Sequence, residues 1–513
     1  MLKLDLFEAL GDWNPQLLRE LQGRLKPRNL ILAIATSLII QFLVLMIFGS
    51  RGQDLCLALS IIAIFSLLGF GTGLLISNLA QEERRGTLNF IRLSPRSPQN
   101  ILWGKMLGVP ILLYIAVLLA IPLHLWAGIA ANIPLIRILS FYAIVVTSCI
   151  FFYSLSLLFS LISSKLNGFQ AFLGGGTASL FILMGLYIGL YGDAFDWIKI
   201  FSPTVTFRYL ILASAIESRL HWFNLPVGMS LLGITSIAIL NYSLWTYWIW
   251  QAIKRCFVNP SKTTLSKIQS YWFVACFEIV ALGFAINTIR YYTGGGDSHR
   301  YRPGDNFMVL LVYNFVLFCG LIITLTPQRQ ALIDWARYRQ QKLNTRKGLL
   351  NSSLLRDLVW GENSPAIVAI ALNGIITAII LIPWIMLEMD KSDRLPILMA
   401  LVFNFCLILV CAAISQLVAL MQTQKAGFGI IGMLIILPPP ILMLLPVKIP
   451  VLWLFTIFAL TAIKDAGVFG IFLALLGQLT LFTWCSVQFN RQLKKAGVSN
   501  SIDLFAPSKV LLP

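Results

Sequence analysis

Residues 30–48 carry no charged side chain, and neither do residues 55–78. The stretch Gln81–Lys105 that follows holds seven: Glu82, Glu83, Arg84, Arg85, Arg92, Arg96 and Lys105. About twenty apolar residues in a helix cross the ~30 Å hydrocarbon core of a bilayer. A charge at the bilayer centre costs about 2.5–3.5 kcal/mol even on the forgiving insertion scale. The pattern therefore predicts two membrane spans followed by an island that lies in water. Because the apolar runs are continuous and not alternating, a β-barrel is excluded. Open sheets or loops facing lipid are excluded because their backbone polar groups would go unpaired. The expected fold class is an all-α polytopic membrane protein, in line with 58% hydrophobic against 12% charged residues.

The same reasoning places spans near 30–48, 55–78, 101–126, 138–162, 169–191, 228–252, 271–290, 306–326, 365–387, 396–420, 428–446 and 467–488. Two pieces, 192–227 and 451–463, are too polar or too short to cross and are expected to be re-entrant. The resulting plan is a cytoplasmic interfacial helix in 1–29, a six-helix unit over 30–252 with the charged segment 80–105, and a linker at 253–270. A second six-helix unit covers 271–488 with a charged segment at 327–364, and a cytoplasmic tail follows at 489–513. Gly294–Gly304 reads as a short external loop. On this plan 27 of the 39 Lys and Arg fall on the side of the N-terminus, which puts both termini and the island in the cytoplasm. That bias also accounts for the net charge of +18, so nucleic acid is not an expected partner. The chain does not begin with an n-region followed by an apolar h-region, and the first span is expected to serve as an uncleaved insertion signal.

Asn14-Pro15 reads as an N-cap followed by proline at the first helical position, and Pro27 as a stop. Leu17, Leu18, Leu21 and Leu25 fall on one face of this helix, and Arg19, Arg24 and Lys26 on the other. A helix lying in the interface, leucines in lipid and basic groups at the phosphates, fits that pattern. An ordinary solvated helix is the alternative.

A weak internal repeat is visible. Trp103-Gly104 matches Trp360-Gly361, Gly168-Phe169 matches Gly427-Phe428, and Leu244-Trp-Thr-Tyr matches Leu481-Phe-Thr-Trp. If duplication underlies these matches, the two halves form a pseudo-two-fold pair. The stretch 327–364, with Asp334, Trp335, Arg337 and Arg339, then stands in the place of the first island.

Little in the chain points to chemistry. No G-x-x-x-x-G-K-[S/T] phosphate loop, H-E-x-x-H or G-x-S-x-G pattern is present, and Gly174-Gly-Gly176 sits in an apolar run without a following lysine. The three histidines are far apart, and the eight cysteines lie in or beside apolar runs without metal-ligand spacing. No catalytic, cofactor or metal residues are expected. Glu278 is the one carboxylate well inside a predicted span; it is either a pathway or proton site or a hydrogen-bonded structural group. Asn241, Asn314, Asn373 and Asn404 are expected chiefly to bridge helices.

The string Glu83-Arg-Arg-Gly-Thr-Leu88, followed by Leu93-Ser-Pro-Arg-Ser-Pro-Gln-Asn-Ile-Leu-Trp-Gly-Lys105, resembles the permease subunits of ABC-2-type transporters. Asn14-Pro-Gln-Leu-Leu-Arg-Glu-Leu21 is similar to the elbow helix of that family. The resemblance implies six-helix units driven by separate ABC ATPase subunits, with ATP bound by the partner and not by this chain. It makes Glu82, Glu83, Arg84, Arg85, Gly86, Thr87 and Leu88 the coupling segment that meets the ATPase. Asp334, Trp335, Arg337 and Arg339 are the expected second copy, without the Glu-Arg-Arg-Gly-Thr-Leu string. Two units in one chain imply that a single chain could supply the whole membrane part, in a bacterial-type inner membrane. A proton-coupled secondary transporter using Glu278 and a non-transporting membrane scaffold are the alternatives.

Overall fold

The computed structural model describes residues 10–49, 51–163, 174–179, 195–207, 220–286, 303–345, 352–421 and 449–505. These residues are almost entirely helical and fall into two compact units, Met1–Pro260 and Ser261–Pro513. The one extended pairing among them is an antiparallel bridge between Trp222 and Leu225. It closes a tight turn in which Phe223 and Asn224 take positive φ.

In the first unit a short helix α1 (Pro15–Arg24) leads to the span α2 (Pro27–Phe48). The second span, α3 (Gly52–Arg84), contains a π-turn at Phe65–Phe70. Such a turn frees a carbonyl from the helical ladder, and the Tyr153 hydroxyl donates to the Leu67 carbonyl at 2.8 Å. Two short helices, α4 (Thr87–Arg92) and α5 (Pro98–Gly108), carry the charged island. The spans α6 (Ile111–Ala130) and α7 (Leu135–Ile162) follow. Residues 101–108, expected to open the third span, thus belong to the separate helix α5. Pro110 cannot extend the hydrogen-bonded ladder of α5, so the span starts afresh at Ile111.

The described parts of 192–227 are broken into the five-residue helices α8 (Asp196–Ile200) and α9 (Pro203–Phe207) and the Trp222 turn. Helix α10 (Leu231–Val258) is 28 residues long, but its many aromatic residues dilute its hydropathy. It packs on α7, and Asn241 accepts hydrogen bonds from the indoles of Trp197 and Trp245 at 3.0 and 2.9 Å. A second polar knot ties α3, α6 and α7: the His124 ring lies 2.7 Å from Ser60 Oγ and 2.8 Å from the Tyr142 hydroxyl.

The second unit contains α11 (Lys267–Ala285), α12 (Pro303–Leu325), α13 (Arg329–Thr345), α14 (Ser352–Trp360), α15 (Ile367–Glu388) and α16 (Lys391–Leu420). Two short helices, α17 (Pro450–Trp453) and α18 (Ala459–Ile463), precede the long α19 (Gly467–Phe505). The expected tail from 489 onward continues that helix as far as Phe505. Nine of the described helices are long and apolar enough to cross a membrane. The expected spans 428–446 and 169–191, apart from 174–179, lie outside the described residues. So do both glycines of the Gly168/Gly427 match and most of the 294–304 loop.

Candidate functional site

The charged island is held by a contact between α1 and α5 that the sequence makes possible in two ways. Asn14 caps α1 by accepting from the Leu17 amide at 2.9 Å, and its own amide donates to the Asn100 carbonyl at 2.8 Å. Asn100 returns the bond to the Trp13 carbonyl at 3.1 Å. Ser97 caps α5 with Pro98 at its first position. Glycines then let the helices touch: a Cβ at Gly104 would meet Asn14 Oδ1 at 2.6 Å and the Leu17 nitrogen at 2.8 Å. One at Gly108 would meet Glu20 Cβ at 2.6 Å. This is a small-residue i, i+4 groove that admits another backbone.

Between the two glycines lies Lys105, and its side chain is buried at the meeting point of α1, α3 and α5. Its ammonium is 2.6 Å from Glu82 Oε2 and 3.5 Å from Glu20 Oε1, and it donates to Asn78 Oδ1 at 2.9 Å. Arg19 pairs with Glu82, and Arg24 with Glu20 at 3.4 Å. Burial pulls the Lys105 pKa below its ordinary value, while Glu82 and then Glu20 oppose that pull. An isolated buried ammonium is costly, and two carboxylates plus an amide carbonyl offset that cost.

Glu82 therefore faces inward, onto α1 and α5. The leucine stripe of α1 is also split: Leu17 is buried toward α5, Leu18 and Leu21 are half-buried, and Leu25 is exposed. Arg19 and Arg24, expected at lipid phosphates, instead bridge to acids of the protein itself.

Beyond Glu82 the chain turns at Gly86, whose φ is +73°. That left-handed conformation favours glycine. Thr87 Oγ1 closes the turn on the Glu82 carbonyl at 3.1 Å. Helix α4 is anchored by Leu88, which is buried, and by Arg92, whose guanidinium lies 5.7 Å from the centre of the Phe257 ring on α10. Burial lowers the Arg92 pKa from its ordinary value, against the opposing charge of Glu83. Arg84 and Arg85 are exposed and Glu83 is half-buried. On the outside of this loop Phe90 and Leu93 are 78% and 83% exposed. Neither was singled out from sequence, although two large apolar residues inside a charged island were a readable signal. Lys105 and Glu20 each stand in a family-like string, but nothing in the sequence pairs the one with the other.

The second candidate segment is built differently. In α13, Leu332 and Ala336 pack with Ala419, Leu420, Phe489 and Leu493, and Trp335 lies against that cluster. Asp334 is exposed and accepts from Gln330 at 3.0 Å, with Arg337 at 3.5 Å. Arg339 is buried and pairs with Asp357 of α14 at 3.1 Å. The four residues named from sequence are thus divided between an exposed edge and the interior of the second unit.

Glu278 is fully buried. It accepts from the Thr377 hydroxyl at 2.8 Å and from the Asn314 amide at 3.4 Å, bridging α11, α15 and α12. Asn373 donates to Ser270 at 3.0 Å in the same unit. Among the described residues no group of three or more His, Cys, Asp or Glu is arranged to hold a metal ion.

Compared with known proteins, residues 17–214 match the model of the family described as ABC-2 type transporter. No curated protein and no solved structure matches the chain.

Proposed function

We propose that this chain, a membrane permease carrying the ABC-2 type transporter domain over residues 17–214, receives the stroke of a separate ABC ATPase on α4. What supports the reading most is the pairing of an exposed apolar tip, Phe90 and Leu93, with a stem locked by Lys105, Glu82 and Glu20. An exposed pair of large apolar side chains on a short helix is suited to fill a pocket on a soluble partner. The basic groups Arg84, Arg85 and Arg96 around it suit an acidic rim. The stem has a complementary task. Because α1, α3 and α5 share one buried charge cluster, a push on α4 is passed to them as a rigid-body displacement. It is not lost in a flexible loop.

In this reading α4 lies in the cytoplasm with both termini, the side that the bias of Lys and Arg favours, and ATP is bound by the partner alone. Helix α13 of the second unit would be a weaker or absent dock. Among the described residues of this segment there is no left-handed glycine turn, and Arg339 and Trp335 are engaged in packing within the unit. The two halves would then meet their ATPases unequally.

The test is co-purification of the chain with an ABC ATPase from its native membrane, followed by Phe90→Ala/Leu93→Ala. Loss of the ATPase from a chain that still inserts and melts like the parent is the expected result, with more than about a tenfold fall in affinity, the scale of a hot-spot pair. An ATPase that stays bound to the double variant, or no ATPase in the parent preparation, overturns the reading.

A further inference from the structure

The first and second units each carry the string Leu-Leu-Arg-acid-Leu on a short amphipathic helix. In α1 it is Leu17-Leu18-Arg19-Glu20-Leu21, and in α14 it is Leu354-Leu355-Arg356-Asp357-Leu358. The acid is engaged by base in both: Glu20 by Lys105 and Arg24, Asp357 by the buried Arg339. In both, a span begins a few residues after the helix ends, α2 at Pro27 and α15 at Ile367. This register differs from the one suggested by the two Trp-Gly steps, and it rests on matching surroundings as well as matching letters.

The helices differ in what covers their leucines. Leu17 is buried in the glycine groove of α5, whereas its counterpart Leu354 is 37% exposed, Leu355 is 62% exposed and Trp360 is 52% exposed. The position of α14 identifies what lies against that apolar face. Its C-terminal end is fastened to the start of two spans at once. The buried Lys267 ammonium, at the beginning of α11, donates to the Leu358 carbonyl at 2.6 Å, Ser364 Oγ at 2.7 Å and the Pro365 carbonyl at 3.0 Å. The Tyr271 hydroxyl donates to the Val359 carbonyl at 2.8 Å, and its ring meets Trp360 edge-on at 6.2 Å. Residues 364 and 365 immediately precede α15. Helix α14 is therefore pinned at the level where α11 and α15 enter the membrane, with a Trp/Tyr pair of the kind that marks headgroup depth.

We infer that α14 is an interfacial helix, its Leu354/Leu355 edge seated in the phospholipid leaflet at which α11 and α15 begin. Arg356, exposed beside that face, is placed to meet lipid phosphate. Buried Lys267 and Arg339 act as pegs that fix the depth of α14, so the orientation of α13, which Arg339 belongs to, is tied to the membrane surface. The inference does not depend on α4 docking an ATPase.

The test uses the full chain reconstituted in phosphatidylglycerol/phosphatidylethanolamine vesicles, with the photoreactive residue p-benzoylphenylalanine at position 355 or, separately, at the exposed position 334 of α13. Illumination should give a phospholipid adduct on the peptide containing 355 at about tenfold or more the yield at 334, since interfacial helices bury their apolar face 5–10 Å into the acyl boundary. The same residue at Leu354, on the same edge of the helix, should also capture lipid and covers the case in which the 355 variant misfolds. Equal yields at 355 and 334, or protein cross-links in place of lipid at both 355 and 354, overturn the inference.

Discussion

The Lys105 ammonium lies 2.6 Å from the Glu82 carboxylate, wholly out of solvent, and the two residues belong to different helices of the charged island. Breaking a buried pair by removing one partner typically costs about 3–5 kcal/mol. Arg19 also pairs with Glu82 and is half-exposed, which softens the loss on one side. Lys105→Met should therefore destabilise the first unit by about 2–4 kcal/mol. The Lys105→Met/Glu82→Gln double variant should lose less than the two single losses combined, by about 1 kcal/mol or more. Thermal unfolding in detergent checks both values; strict additivity would mean the pair is not coupled.

The groove on α5 makes a second expectation. Gly104→Ala places a methyl group 2.6 Å from Asn14 Oδ1 and 2.8 Å from the Leu17 nitrogen. Backbone atoms of a capped helix cannot yield cheaply, so α1 should lift from α5 at a cost of about 1–3 kcal/mol. Limited proteolysis at Arg19 and Arg24 should accelerate in the variant relative to the parent.

At Gly86 the space is open, yet the backbone is left-handed. Gly86→Ala should cost about 1 kcal/mol through conformation alone, and Gly86→Asn less, because asparagine tolerates that region. Any loss of ATPase retention should follow the same order. Identical behaviour of Ala and Asn would separate function from the turn.

Glu278 offers a discriminating exchange. An amide at this position can still accept from Thr377, so Glu278→Gln should change stability by less than about 1 kcal/mol, the scale of an interhelical hydrogen bond in a membrane. Glu278→Leu should cost about 1–2 kcal/mol by removing the acceptor of the Thr377 hydroxyl and one of the two acceptors of the Asn314 amide, which keeps the Leu310 carbonyl. Thermal melts measure both. A Glu278→Gln chain that folds normally and has lost transport would give the carboxyl itself a part in the pathway.

How far these features could be read in advance depends on the range over which each is encoded. Asn14 and Pro15 announce α1 because a cap and its helix are adjacent in sequence. The two unequal islands were visible as strings of charge. Which charges stay outside was not visible, since Glu82 could as well have faced a partner as Lys105. Phe90 and Leu93 are legible as large apolar residues inside a charged island, but that they and not Leu88 face outward is decided by packing. The echo of Leu17–Leu21 in Leu354–Leu358 is plainly written in the sequence, but five letters carry weight only when Glu20 and Asp357 are both found engaged by bases.

By itself, then, the sequence determined that this protein is helical and lives in a membrane. Hydropathy is a property of windows of about twenty residues, and lipid leaves helices as the only solution for such windows. It also marked where charged segments interrupt the apolar runs. Only the tertiary structure decided that Glu82 turns inward and that Lys105 and Lys267 are buried. Those outcomes depend on residues 23 to 98 positions apart meeting in space. A charge is solvated or buried according to which partner arrives, and that is settled by packing and not by its neighbours in the chain.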